Sequence, residues 1–172
     1  MQSVNIRLAT LNDISRINKL FIQKIKYVNE QNKKSGKEVN EELFKDGYED
    51  GFLEKYLASS DKFILVAEID SKIVGYLSCE EKNNYENLFI YLDDFCVDSK
   101  FRGYGIGTRL VESADEYAQN NNFESLKLHV ENENSNSIRF YTNLGFQPLS
   151  SDEHRTLMQK EVLKKTIQTN KR

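Results

Sequence analysis

One proline, two cysteines, two histidines and no tryptophan stand among the 172 residues. Each scarcity excludes something. With a single proline, eight glycines and no low-complexity run, the chain has no linker and no repeat, so residues 1–172 read as a single domain. Cys79 and Cys96 are far apart, form no CxxC and read as reduced thiols, which places the protein in a cytoplasm. His129 and His154 have no clustered ligand spacing around them, so no metal is expected. No apolar run reaches the length of a membrane span, and the start, Met1 to Asn5, lacks the charged and apolar regions of a secretory signal. A net charge of −3 without a basic stripe excludes a nucleic-acid partner on electrostatic grounds.

What is present suits a folded enzyme-sized core. Ten Phe and nine Tyr supply volume, and apolar residues make up 38% against 30% charged. Val4, Ile6 and Leu8 alternate with polar neighbours as a half-buried strand does. Thr10 and Asp13 then form a variant capping box, and Ile14, Ile17, Phe21 and Ile25 carry a helix to about Tyr27. The stretch 29–51 is rich in Lys, Glu and Asn and reads as a loop or short exposed helix, with a second helical stretch over 41–57. Strands are expected over 62–69 and 72–80, joined by an Asp70-Ser71 turn, and over 88–97. A helix follows the glycines at 103–107, then a strand through Leu126, Leu128 and Val130, and a short helix over 135–144 stopped by Gly145. Closing strands are expected at 146–148 and 155–162, and the basic end, 164–172, reads as a frayed tail.

Three strands followed by strand–helix–strand give an α/β fold, a mixed sheet flanked by helices. The crossover makes strands 88–97 and 126–130 parallel, and ligands of such folds sit outside the carboxyl ends of the strands. At one such end lies Arg102-Gly103-Tyr104-Gly105-Ile106-Gly107-Thr108. Glycines there let backbone N–H groups approach a ligand, and the helix start behind them adds unsatisfied donors and a positive dipole end. Together they suit a pyrophosphate, with Arg102 available for a charge-assisted contact. No Lys-Ser or Lys-Thr follows, so the run is not a P-loop, and Thr108 stands where a dinucleotide fingerprint needs glycine.

The stretch from Leu92-Asp93-Asp94-Phe95-Cys96-Val97 through Arg109-Leu110 resembles the central motif of the GNAT acetyltransferases, with Arg102, Gly105 and Gly107 in its three defining positions. Asn134 to Phe146, with Phe140-Tyr141 and Gly145-Phe146, resembles the second signature of that family, although Ser137 stands where Ala is commoner. Ile73-Val74-Gly75-Tyr76 is similar to the family's hairpin. The resemblance covers about residues 62–146 and implies a mostly antiparallel central sheet with one parallel pair splayed around the cofactor. It implies acetyl-CoA as cosubstrate. Backbone amides of Arg102, Gly103, Tyr104, Gly105, Ile106, Gly107 and Thr108 would hold the pyrophosphate. Phe95, Cys96 and Val97 would pair with the pantetheine arm and polarise the thioester, and Asn134 would touch that arm.

Tyr141 matches the tyrosine of the second signature, which implies the acid that protonates the leaving thiolate. The base stays open among Asp93, Asp94, Glu80, Glu81 and a water relay, with Asp94 preferred. Asp93 and Asp94 point to opposite faces of their strand, so at most one serves. Cys96 reads as a small apolar strand residue rather than an acyl carrier, and Asn134 also fits a helix cap. Acids outnumber lysines over 30–55, which would attract a cationic amine, though a solvated helix face accounts for the same charges. The expected acceptor is a small-molecule amine, with a peptide amine, or a non-catalytic acetyl-CoA-binding module, as alternatives. Dimers are common in families of this kind, so a homodimer is admitted, although no stretch marks its interface.

Overall fold

The computed structural model describes residues 3–85 and 87–164, so residues 165–172 of the expected tail lie outside the described residues. Among the described residues, seven strands and four α-helices follow one another as β1 (Asn5–Leu8), α1 (Ile14–Lys34), α2 (Phe52–Ala58), β2 (Lys62–Ile69), β3 (Lys72–Asn83), β4 (Leu88–Val97), α3 (Ile106–Asn120), β5 (Ser125–Glu131), α4 (Ser135–Asn143), β6 (Gln147–Ser151) and β7 (Arg155–Glu161). The hydrogen-bonded order of the sheet is β1-β2-β3-β4-β5-β7-β6. It is mostly antiparallel, and its parallel pair is β4 with β5, as the crossover required, matched from Phe89↔Ser125 to Tyr91↔Lys127. The expected mixed sheet flanked by helices is therefore the one observed. Among the described residues, no helix is long and apolar enough to cross a membrane.

The chain packs as two compact units, Met1–Cys79 with Asp94–Val111 and Glu80–Asp93 with Glu112–Arg172. In the first, Ile17, Leu20 and Phe21 of α1 join Leu53 and Tyr56 of α2, Ile64 and Val66 of β2, Ile73 and Tyr76 of β3, and Cys96 of β4 in one buried cluster. Asp70 and Ser71 both take left-handed backbone angles (φ 48° and 61°), the conformation a tight two-residue hairpin turn demands. Arg7 of β1 locks the start of α1. Its guanidinium donates to Asp13 at 2.8 and 3.0 Å and to Glu68 at 2.8 Å. The Arg7 hydrogen bonds hold the Asp13 carboxyl down at about 2.

In the second unit β7 pairs antiparallel with both β5 and β6. Leu126, Leu128 and Val130 of β5 and Met158 of β7 are buried. Lys160 of β7 reaches Asp115 of α3 at 2.7 Å.

Two expected helix bounds are corrected, and β3 and β6 each run three residues further than expected, to Asn83 and Ser151. Helix α1 runs on to Lys34, two turns beyond Tyr27. Those turns carry good helix formers without an apolar stripe, so helix periodicity could not reveal them. Helix α2 begins only at Phe52, not near residue 41. Gly47 (φ 95°) and Gly51 (φ 74°) are left-handed and break the expected helix into turns.

Candidate active site

The glycine turn lies between the end of β4 and α3. Gly103 and Gly105 adopt φ of 83° and 74°, and a Cβ built on either would meet nothing within 4 Å. Glycine is thus required by backbone angle, while the space beside the backbone stays open to a ligand. The amides that begin α3 at Ile106, Gly107 and Thr108 have no partner within the helix and present donors there. Arg102 opens the turn, its Nε donating to the Val97 carbonyl at 3.3 Å and its guanidinium lying 4.9 Å from the Tyr27 ring centroid. This cradle of open amides and one guanidinium fits a pyrophosphate.

Helix α1 and β3 fix the strand end that leads into the turn. A Cβ on Gly75 would lie 3.1 Å from the Cys96 carbonyl, so β3 approaches β4 as closely as only glycine allows without a shift. Asp98, 6% exposed, accepts from Arg16 at 2.7 Å and from the Lys100 amide at 3.1 Å. Burial works against its ionisation, but the Lys100 amide and Arg16 outweigh burial and hold the carboxyl below its ordinary value. Asp98, with Arg16, is a structural anchor of the turn that the sequence reading did not single out. The signal was available, since Asp98 opens a short turn, Ser99–Phe101, as a capping residue does.

Asp94 sits just before this strand end, its side chain 14% exposed. Its Oδ1 accepts from Lys24 Nζ and from the Phe95 amide. Its Oδ2 accepts from the Tyr48 hydroxyl and from the Tyr76 hydroxyl at 2.6 Å. Four donors meet the roughly four lone-pair sites of a carboxylate. A further donor would reach Asp94 only by replacing one of them. The Asp94 amide donates to Ser78 Oγ at 2.9 Å, fixing the backbone beneath the carboxylate. Asp93, by contrast, is exposed, as the alternation of a strand requires.

Tyr48 arrives from the segment between α1 and α2. Its ring stacks between Phe21 at 3.9 Å and Phe52 at 4.9 Å, and Phe44 meets Phe21 edge-on at 5.4 Å. Asn18 Oδ1 accepts from the Tyr48 amide at 2.9 Å. The acids of this region are partly offset, Glu41 by Lys33 and Glu42 by Lys45. Sequence reasoning missed Lys24, Tyr48 and Tyr76. One signal existed: Lys24 falls on the apolar stripe Ile14–Ile17–Phe21 of α1, where a cation needs a buried reason.

The remaining candidates divide as follows. Cys96 is 3% exposed, its Sγ donates to the Leu20 carbonyl at 3.3 Å, and burial pushes the thiol up to about 11. That is the environment of a small apolar strand residue. Cys79 and Cys96 form no disulfide. In the second unit, Tyr141 of α4 is 9% exposed and packs edge-on against Phe140 at 5.0 Å and Phe146 at 5.4 Å. Asn134 caps α4, its side chain accepting from the Ser137 amide at 3.1 Å. Glu80 pairs with Lys82, and Glu81 accepts from Tyr117 at 2.6 Å. His129 meets the Tyr91 hydroxyl at 2.9 Å, and no His, Cys, Asp or Glu cluster among the described residues could hold a metal.

The family model for the GNAT family of acetyltransferases matches residues 28–146, which include the cradle, Asp94 and Tyr141. The chain belongs to the GNAT family. Among curated relatives of this GNAT chain, an uncharacterised N-acetyltransferase of Methanocaldococcus jannaschii is 36% identical over 54% of the chain and 43% of its own length. A thialysine N-ε-acetyltransferase of Mus musculus is 33% identical over 52% of the chain and 58% of its own length. The GNAT chain thus spans about half the length of these relatives. Its fold is that of the PaiA N-acetyltransferase of Thermoplasma acidophilum, solved with coenzyme A: TM-score 0.79, 20% identity, 92% of this chain and 99% of that one. Arabidopsis thaliana Naa50, solved with a bisubstrate analogue, shares the fold at TM-score 0.65 and 19% identity, over 92% and 98% of the two chains.

Proposed function

We propose that this GNAT chain is an acetyl-CoA-dependent N-acetyltransferase whose acceptor is the primary amine of a small molecule. One observation carries the reading: an open, left-handed glycine backbone faces the start of α3 beside an Arg102 whose two Nη groups have no hydrogen-bond partner among the described residues. The amides from Arg102 to Thr108 hold the pyrophosphate, and the backbone of Phe95 to Val97 and the Asn134 side chain take the pantetheine arm. Acetyl-CoA supplies an activated acyl carbonyl and a thiolate leaving group.

The protein's own part is to bring the amine in neutral and to handle two protons. An alkyl ammonium titrates at about 10, so it must lose a proton before attack. Asp94 receives the acceptor ammonium in place of Lys24 and takes that proton, with Tyr48 and Tyr76 fixing the carboxylate. An amide of the Phe95–Val97 segment donates to the developing oxyanion. Tyr141 provides the proton for the thiolate, a role that its position in the second motif supports. The thialysine relative favours a small acceptor.

Calorimetric titration with acetyl-CoA, followed by free-thiol release against a panel of amines, tests the proposal. Binding with amine-dependent release supports it, and absence of binding removes it. Tyr141→Phe is expected to lower kcat about a hundredfold, the low end for a positioned proton donor. Unchanged turnover would remove Tyr141 from the chemistry.

A further inference from the structure

The proposed cofactor reading leaves one feature unused, the contact of Tyr27 with Arg102, and the following rests on that reading. Tyr27 lies in the second half of α1, 47% exposed, where core packing does not account for an aromatic ring. Its ring faces the Arg102 guanidinium at 4.9 Å. The same guanidinium is tied at Nε to the Val97 carbonyl. One face and one edge of the fork are therefore engaged by the protein. What is left is the Nη1/Nη2 edge, which carries no hydrogen bond among the described residues.

An exposed arginine ordinarily samples many rotamers, and ordering it on a ligand costs about 2 kcal/mol at most. A guanidinium already stacked and tethered has lost much of that freedom before the ligand arrives. The orientation of α1 supports such a device, since the helix grips the strand end and turn at several successive places. Arg16 and Gln23 bond Asp98, Leu20 accepts from Cys96, and Lys24 bonds Asp94. Tyr27 continues this face by one turn, to the first residue of the cradle.

We infer that Tyr27 is a positioning residue for the cosubstrate: its ring pre-orients Arg102 so that the free edge of the guanidinium meets the pyrophosphate of acetyl-CoA in two parallel hydrogen bonds. A stacked cation at an exposed site is worth enough to change affinity about two- to fivefold. The phenol hydroxyl plays no part, and the acceptor amine is not involved.

The test is a double-mutant cycle read by calorimetry with acetyl-CoA and by steady-state kinetics, with thermal melts to verify folding. Tyr27→Leu should raise Kd and KM for acetyl-CoA about two- to fivefold while kcat and the KM for amine stay put. Tyr27→Phe, which keeps the ring, should bind like the unaltered protein. In an Arg102→Ala background, Tyr27→Leu should have no further effect. A loss of affinity that persists in that background would overturn the inference, because the ring would then touch the ligand itself. Unchanged affinity in Tyr27→Leu would overturn it as well, with acetyl-CoA binding intact and the proposed function untouched. Failure of the unaltered chain to bind acetyl-CoA would remove both.

Discussion

The glycine cradle and the Asp94 cluster belong to the same compact unit and are built by opposite means. The cradle is backbone: left-handed glycines, the amides that open α3, and a single guanidinium, all within Arg102–Thr108. The Asp94 cluster is side chain: Lys24 of α1, Tyr48 of the α1–α2 segment and Tyr76 of β3 converge on one carboxylate from 70, 46 and 18 residues away. A site made of amides recognises what all its ligands share. A site made of side chains can change one residue at a time, and so suits the partner that differs between relatives. If this division holds, the two regions should fail independently.

The largest expected effect lies at Asp94. Asp94→Asn keeps the shape but removes the charge, and with it the ion pair to Lys24. kcat/KM for the amine should fall about 10²–10⁴-fold, the usual worth of a positioned base. Calorimetry should show acetyl-CoA affinity within about twofold of the original. If cofactor affinity fell in parallel, the two regions would be one energetic unit and the contrast would be broken.

The mirror experiment is Gly105→Ala. A non-glycine residue at φ 74° costs about 1–2 kcal/mol, so acetyl-CoA should bind about five- to thirtyfold more weakly as the turn relaxes to avoid that strain. At saturating cofactor the amine KM should not move. A change in amine KM with cofactor affinity preserved would reverse the assignment of the two regions.

The same contrast explains what could be read from the chain alone. The cradle is contiguous, so its glycines, arginine and helix start stood together in the sequence. From Lys62 onward the elements follow alternation and crossover rules, and β4 spans the expected Leu88–Val97. Lys24, Tyr48 and Tyr76 come together only through packing, and nothing in their local sequence names Asp94 as their common partner. Legibility failed for a second reason in the α1–α2 region. The last turns of α1 lack an apolar stripe, and Tyr48 is held by stacking between Phe21 and Phe52 rather than by regular structure. Neither hydrophobic periodicity nor propensity registers a stack of rings across a turn.

The smallest effect is expected at Cys96, which sits in the strand between the two regions and tests whether anything but geometry connects them. Its thiol would offer a covalent route for the acetyl group, since attack by a thiolate on a thioester needs no amine. The thiol is buried, bonded to the Leu20 carbonyl and raised to about 11. At pH 8 that leaves about one molecule in a thousand as thiolate, against roughly a quarter for an unperturbed cysteine. Cys96 in the folded protein should therefore resist iodoacetamide at pH 8, and Cys96→Ala should keep turnover within about twofold while costing about 1 kcal/mol of stability for the lost packing. Because a raised thiol pKa means that the reactive form appears only as pH climbs, any labelling of Cys96 should grow between pH 9 and 11, not below. Loss of turnover in Cys96→Ala with normal acetyl-CoA binding would join the two regions through chemistry. Retained turnover leaves direct transfer, with Asp94 and the cradle acting on opposite reactants.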